Sequence, residues 1–254
     1  MSVTNEVFVA EYLERIHYQG SLVPCRETLV ELHCCHTAHV LFENLEILKD
    51  GFKANLSRDY LFDRIVRRRR GGVCYELNTS FYLLLSALGF SVQQVCGIVR
   101  PEVGVLDHVA TLIHLEEGDF LADVGFGNTF MPVFQINAVP SAQTGSATYI
   151  MKPVNDTVYE IIRQRPGQDD FLLYTIHLIP RTQDDFFPQF DWASTMGHTK
   201  FSAYPIVGRF TAEREMLLRS KLFTIQENGV EVANIPITCP EDSARILREY
   251  FDLP

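Results

Sequence analysis

The 254-residue sequence predicts an α+β fold. Three observations lead there. Residues 1 to about 90 carry apolar side chains at helical spacing. From about residue 91 the pattern changes to short β-branched runs divided by turn residues. After about Trp192 the two signals mix. Helices are thus segregated from strands, whereas an α/β fold would alternate them.

Each element has its own justification. VFVAEYLERI places Val7, Val9, Tyr12, Leu13 and Ile16 on a helical period, and RETLVELHCCHTAHVLF continues that period after Pro24. SRDYLFDRIV opens at Ser57, a good N-cap, and carries Tyr60, Leu61, Ile65 and Val66. ELNTSFYLLLSALGF ends at Gly89, a C-cap candidate. VQQVCGIV, HVATLIHL, FLADVGFG, TYIMKPV, TVYEIIRQ and FLLYTIHLI predict strands, with EEGD as a hairpin loop between the second and third. KLFTIQENGVEVANIPI predicts a hairpin turning at Asn228-Gly229, and EDSARILREYF behind Pro240 a final helix.

Composition bounds the function. A hydrophobic content of 46% supplies a sizeable core, and 21% charged residues without a repeat argues against disorder. Glu6 and Glu11 interrupt the N-terminal stretch, so it does not predict a signal peptide. No uncharged apolar run is long enough to span a bilayer. A net charge of −10 argues against nucleic-acid and membrane-surface partners, and an anionic ligand would need a local basic patch. The expected location is the cytoplasm. The six cysteines form no CxxC pair and are expected as reduced thiols, mostly buried as small hydrophobes.

One stretch carries chemistry. In RRRRGGVCYELN, residues 67–78, Gly71 and Gly72 let the backbone turn before a helix whose first turn holds Cys74. Unpaired N–H groups and the macrodipole there favour a negative charge. A free thiol is only a few per cent thiolate at neutral pH, so such a place matters to a nucleophile. A buried structural cysteine opening a core helix fits the same residues. A nucleophile also needs a base and an orienting group. His108 opens HVATLIHL, and Asp123 lies in the apolar strand FLADVGFG, where a carboxylate is costly unless paired. An odd hairpin register puts both on one face. A tight turn at Glu117-Gly118 would set His108 opposite Gly127, so pairing with Asp123 needs a shorter offset or a bulge. Spacing alone leaves the triad open.

The segments RRGGVCYELN, DHVATL and LADVGFG, with HTAHVLFENLEIL upstream, resemble the arylamine N-acetyltransferase family over residues 1 to about 130. The resemblance implies that Cys74 accepts the acetyl group, His108 is its base and Asp123 holds the imidazole. It implies a cysteine-protease-like catalytic core within three domains. These are a helical bundle over 1–90 carrying the nucleophile, a β-barrel over 91–192 carrying His and Asp, and an α/β lid over 193–254. It also implies a ping-pong reaction with acetyl-CoA as co-substrate, no permanently bound cofactor, and an aromatic amine or hydrazine as acceptor. An N–H at or near Cys74 would stabilise the oxyanion. Two positions depart from the family pattern: Leu41 stands where proline is usual before FENL, and Arg214-Glu215 replaces a Gly-Arg pair.

Other residues admit two roles each. Arg67 to Arg70 attract CoA phosphates, or one pairs with Glu43 while the rest face solvent. Glu76 touches the site or braces its helix. Phe42 and Phe126 line an aryl pocket or belong to the core. HCCHTAH matches no standard zinc spacing, so no metal is expected. Trp192 is expected to pack between domains. The oligomeric state is open. The alternative functions are an amide synthase closing a macrolactam from a carrier-bound polyketide, a papain-like or transglutaminase-like hydrolase, and a non-enzymatic binding module.

Overall fold

A computed structural model describes residues 3–100, 105–138, 142–144 and 147–254. Helix α1 (Asn5–Arg15) buries Phe8 and Tyr12, and α2 (Arg26–His39) buries Leu29, Leu32 and both His33 and His36. The predicted continuation of α2 through Phe42 does not occur, because Phe42–Glu43 forms the short strand β1. Helix α3 (Arg58–Leu61) follows Ser57, which holds the N-cap position without a side-chain cap bond. It passes into a π-helical turn over Phe62–Arg67, where the Arg68 N–H reaches back five residues to the Asp63 carbonyl at 2.8 Å. Helix α4 (Cys74–Ala87) is the core helix, and Gly89 behind it has the left-handed φ of 89° that the C-cap expectation needs.

The second region is a sheet. Its strands are β2 (Ser91–Ile98), β3 (His108–Leu115), β4 (Gly118–Ala122), β5 (Phe134–Gln135), β6 (Ala142–Thr144), β7 (Ala147–Pro153), β8 (Val158–Gln164) and β9 (Phe171–Arg181). Among the described residues they pair antiparallel in the order β5-β4-β3-β2-β9-β8-β7-β6, as a nearly closed barrel. Both faces of β3 and β4 are buried. Val109, Ile113, Phe120 and Ala122 pack towards the helices, while Ala110, Leu112 and Leu121 fill the barrel. That explains why HVATLIHL reads as a nearly continuous apolar run.

Helix α5 (Gln183–Ser194) was not predicted. Pro188 inside it hid its period, yet Phe186 and Phe190 are buried and stack on Tyr75. The expected domain boundary near residue 192 falls within this helix. Trp192 does not pack between domains: it is 44% exposed and lies 5.2 Å from the His198 ring.

The last region joins β10 (Ile206–Phe210), β11 (Arg214–Arg219), β12 (Leu222–Glu227), β13 (Val230–Pro236) and α6 (Pro240–Phe251). The predicted hairpin turns at Asn228 and Gly229, both with positive φ as a tight primed turn requires. Strand β1 is the opposite edge of this sheet: Phe42 pairs with Gly208 and Glu43 with Val207. The strand that bonds Gly72, at the turn before Cys74, therefore ties the helices to the C-terminal sheet. No helix of the described residues is long and apolar enough to cross a membrane.

Candidate active site

Cys74 is the first residue of α4 and is buried. The glycines before it serve close approach rather than a left-handed turn. Neither has positive φ; Arg69, with φ 51°, makes that bend. A Cβ on Gly71 would lie 2.1 Å from the Leu41 carbonyl oxygen. The Gly72 N–H donates to that oxygen at 3.2 Å, and the Glu43 N–H donates to the Gly72 carbonyl at 2.9 Å. So β1 fixes the start of the helix.

Buried charges hold the turn from beneath. Arg64 is fully buried and donates through Nε to the Gly71 carbonyl at 2.8 Å. Its guanidinium also lies 3.4 Å from Glu43 and 3.3 Å from Glu76. Arg70 pairs with Glu43 at 2.9 Å, as expected for one arginine of the run. Arg67 and Arg68 are not simply solvated: they reach Glu11 at 3.0 Å and Glu46 at 3.5 Å. Glu76 accepts from the Val73 N–H at 3.0 Å and so braces its own helix. Burial pushes its carboxyl up to about 7 despite the Arg64 charge, which is shared with Glu43 and Glu46.

The β3–β4 register brings His108 to Asp123. Leu115 pairs with Gly118, so the turn is Glu116-Glu117, one pair shorter than a turn at Glu117-Gly118. The ladder runs on to Thr111 opposite Ala122, and β4 ends there. Asp123 is thus the residue after the strand rather than within it, on the same face as His108 and diagonal to it. His108 Nε2 donates to Asp123 Oδ2 at 2.7 Å.

Asp123 accepts three further bonds. Tyr174 donates its hydroxyl to Oδ2 at 2.9 Å. Asn78 Nδ2 and the Gly125 N–H donate to Oδ1, each at 2.9 Å. Both lone-pair regions of the carboxylate are occupied, which makes a buried charge tolerable. Burial disfavours the His108 cation, but the charge and hydrogen bond of Asp123 outweigh it. Cys74 adds to the rise, and His108 ends at about 10. Burial likewise raises the Asp123 carboxyl, and His108, Asn78 and Gly125 more than reverse it, so it lies below its ordinary value. With Nε2 committed to Asp123, Nδ1 is the nitrogen left for Cys74.

Aromatic rings enclose the imidazole. Phe126 stands edge-on to it at 5.7 Å and Tyr174 lies at 4.7 Å. Phe42, Val124, Phe126, Phe130 and Asp123 line a cavity of about 10 Å³, room for about one water. Phe42 is also core, and its ring abuts Gly127, where a Cβ would lie 2.4 Å away. A Cβ on Gly125 would lie 2.9 Å from the Cys74 Cα, so glycine is what lets the end of β4 approach the helix start.

The remaining candidates disperse. In HCCHTAH, His33 bonds the Asp123 carbonyl, His36 the Tyr12 hydroxyl and His39 the Cys35 carbonyl. Among the described residues no group of three His, Cys, Asp or Glu gathers as a metal cluster. The expectation that most cysteines are buried fails. Only Cys74 and Cys96 are buried, and Cys34 and Cys239 are exposed.

Sequence reasoning missed Asn78, Tyr174, Arg64 and His33. Asn78 left a signal: it stands four residues after Cys74, on the same helical face, among apolar neighbours. Tyr174 left only its polarity within an apolar strand.

The family described as N-acetyltransferase matches residues 26–254. The chain is 27% identical over 234 residues to the arylamine N-acetyltransferase of Escherichia coli, covering 89% of this chain and 82% of that one. It is 28% identical over 233 residues to proansamycin X synthase of Amycolatopsis mediterranei, covering 88% and 89%. The solved structure of Mycobacterium marinum arylamine N-acetyltransferase in complex with CoA superposes with a TM-score of 0.87 at 25% identity, covering 96% and 92%.

Proposed function

The chain belongs to the arylamine N-acetyltransferase family, and from that membership we propose a ping-pong transfer of acetyl from acetyl-CoA to an arylamine or arylhydrazine through acetyl-Cys74. The observation that carries this is the orientation of His108. Its Nε2–H is committed to a fully bonded Asp123, which leaves Nδ1 for the Cys74 thiol.

In the first half-reaction the Cys74 thiol proton rests on His108 Nδ1. The thiolate attacks the acetyl carbonyl, and the carbonyl pair moves to oxygen. The amides of Cys74 and Tyr75, in the first turn of α4, have no carbonyl within the helix to bond, so they are available to that oxyanion. The bond to CoA sulfur breaks, and CoA leaves with the His108 proton. Thioester is exchanged for thioester, so little free energy is lost. In the second half-reaction the amine nitrogen attacks acetyl-Cys74, its proton passes to His108, and the thiolate leaves. Asp123 orients the ring and stabilises the cation without taking a proton. Phe126, and Phe42 beside it, form the wall against which an aryl ring would lie.

A second reading is supported by the likeness to proansamycin X synthase: an amide synthase closing a macrolactam from a carrier-bound polyketide. Steady-state kinetics separate the readings. The proposed transfer predicts parallel double-reciprocal lines when acetyl-CoA and an arylamine such as 4-aminobenzoate are varied together. Intersecting lines would rule out the acetyl-enzyme route. A chain that turns over only carrier-bound acyl chains would favour the synthase.

A further inference from the structure

We infer that His33 is a positioning residue for the acyl-transfer site, holding the main chain of Asp123 from helix α2. The inference rests on the acetyl-Cys74 chemistry proposed above.

Asp123 lies one residue beyond the β3–β4 ladder, whose last pair is Thr111 with Ala122. Its carbonyl therefore has no partner in that ladder. His33, on α2, supplies one: Nε2 lies 3.1 Å from the Asp123 carbonyl oxygen. A carbonyl only accepts, so Nε2 carries the hydrogen and the ring is in the Nε2–H form. The ring is 1% exposed and stands edge-on to Phe130 at 5.6 Å and to Phe81 at 6.1 Å. It cannot swing away without opening that packing. Among the described residues Nδ1 has no partner, so the buried ring carries one unsatisfied nitrogen. Burial keeps the ring neutral, pushing it below the ordinary histidine value against the pull of Asp123.

The other constraints act differently. Asn78 clamps from α4: Nδ2 holds the carboxylate, and Oδ1 accepts the Val124 N–H at 3.0 Å. Those bonds fix the carboxylate and the following amide. His33 fixes the carbonyl between them. Together they lock the peptide that sets where Oδ2 meets His108. A displacement of about 1 Å at such a point can cost about a hundredfold in rate.

His36 supplies the internal control. It lies one turn on, is equally buried, and bonds Tyr12 at 3.0 Å rather than Asp123. Four proteins are compared: wild type, His33→Leu, His33→Gln and His36→Leu. Single-turnover acetylation of Cys74 by acetyl-CoA is followed by intact mass, with kcat, KM and thermal unfolding alongside. Glutamine places an N–H the same number of bonds from Cβ as the His33 Nε2. His33→Leu is expected to slow acetylation roughly ten- to a hundredfold with KM for acetyl-CoA nearly unchanged. His33→Gln should recover most of that rate, and His36→Leu should lose thermal stability but keep the rate. If His33→Leu does not fold, His33→Asn, too short to reach the carbonyl, takes its place with the same expected loss. Acetylation of the Leu or Asn variant at the wild-type rate would overturn the inference. So would a Gln variant as slow as Leu, or a His36→Leu variant as slow as His33→Leu. Wild type that forms no acetyl-Cys74 would sink the proposed function and this inference together.

Discussion

Asp123 accepts from His108, Tyr174, Asn78 and the Gly125 N–H, and each bond is lost or inverted by a different change. Asp123→Asn keeps the shape but turns one acceptor into a donor facing His108 Nε2. The imidazole then favours the wrong tautomer, and turnover should fall by about four orders of magnitude in a folded variant. Near-normal kcat would remove Asp123 from its role. The pair also governs stability. His108 rises from 6.5 to about 10 on folding, so its contribution is complete below about 6.5 and disappears as pH climbs through about 10. Asp123 is lowered from 3.8, so its contribution is present above that value and lost as pH falls through the lower folded one. The stability advantage of wild type over Asp123→Asn should therefore be largest near pH 5 and shrink towards pH 10. Urea unfolding at both values checks this, and an advantage that does not change would contradict the ion pair. The residues proposed for the chemistry, Cys74, His108 and Asp123, all lie in short motifs that can be read locally. Tyr174 and His33 are less legible, and Asn78 is so only by its spacing from Cys74, because each meets Asp123 from an element 45 to 90 residues distant in sequence.

Helix starts and strand ends do the positioning. Three cysteines stand at helix starts: Cys25 and Cys239 as N-caps of α2 and α6, and Cys74 as the first residue of α4. Cys25, half-buried, and Cys239, exposed, are therefore the competing thiols. Only Cys74 lies beside a histidine bonded to a buried carboxylate, which favours the imidazolium. Limiting iodoacetamide at slightly acidic pH should modify Cys74 first, with acetyl-CoA protecting it and activity lost in step. Peptide mapping that finds Cys25 or Cys239 labelled first, with activity intact, would reject that order. Gly125 tests the strand end. A Cβ there meets Asn78 Nδ2 at 2.7 Å and the Cys74 Cα at 2.9 Å. Gly125→Ala should cost about 1–3 kcal/mol of stability through overpacking and reduce kcat more than KM. An alanine variant with wild-type kcat would show that the approach is slack. The hairpin length, on which the His108–Asp123 pairing depends, was not legible: EEGD permits turns at Glu116-Glu117 or Glu117-Gly118, and side-chain packing chooses. Helix α5 was hidden by Pro188, because its stability comes from Phe186 and Phe190 under Tyr75 rather than from local propensity.

Across the whole molecule, the site is assembled from every region. Helix α4 brings the thiol, the barrel brings His108 and Asp123, and β1 ties the approach to Cys74 into the C-terminal sheet. The helix-then-strand order was readable from periodicity, since both signals are local. The C-terminal sheet was less so, because its first strand partner lies more than 160 residues upstream. The departure at Arg214-Glu215 acquires a structural meaning. Glu215 accepts from the Thr129 hydroxyl, from the Phe130 N–H at 3.2 Å and from Arg165 at 3.0 Å. It thereby joins the C-terminal sheet to the loop beyond Asp123 and to the barrel. All of this converges on one sulfur atom. Intact-mass spectrometry after mixing with acetyl-CoA, followed by peptide mapping, tests that convergence most directly. The account predicts a gain of one acetyl group on Cys74, removed on adding an arylamine and absent from Cys74→Ser. An acetyl group on another residue, or amine acetylation by the folded Cys74→Ser protein, would contradict it.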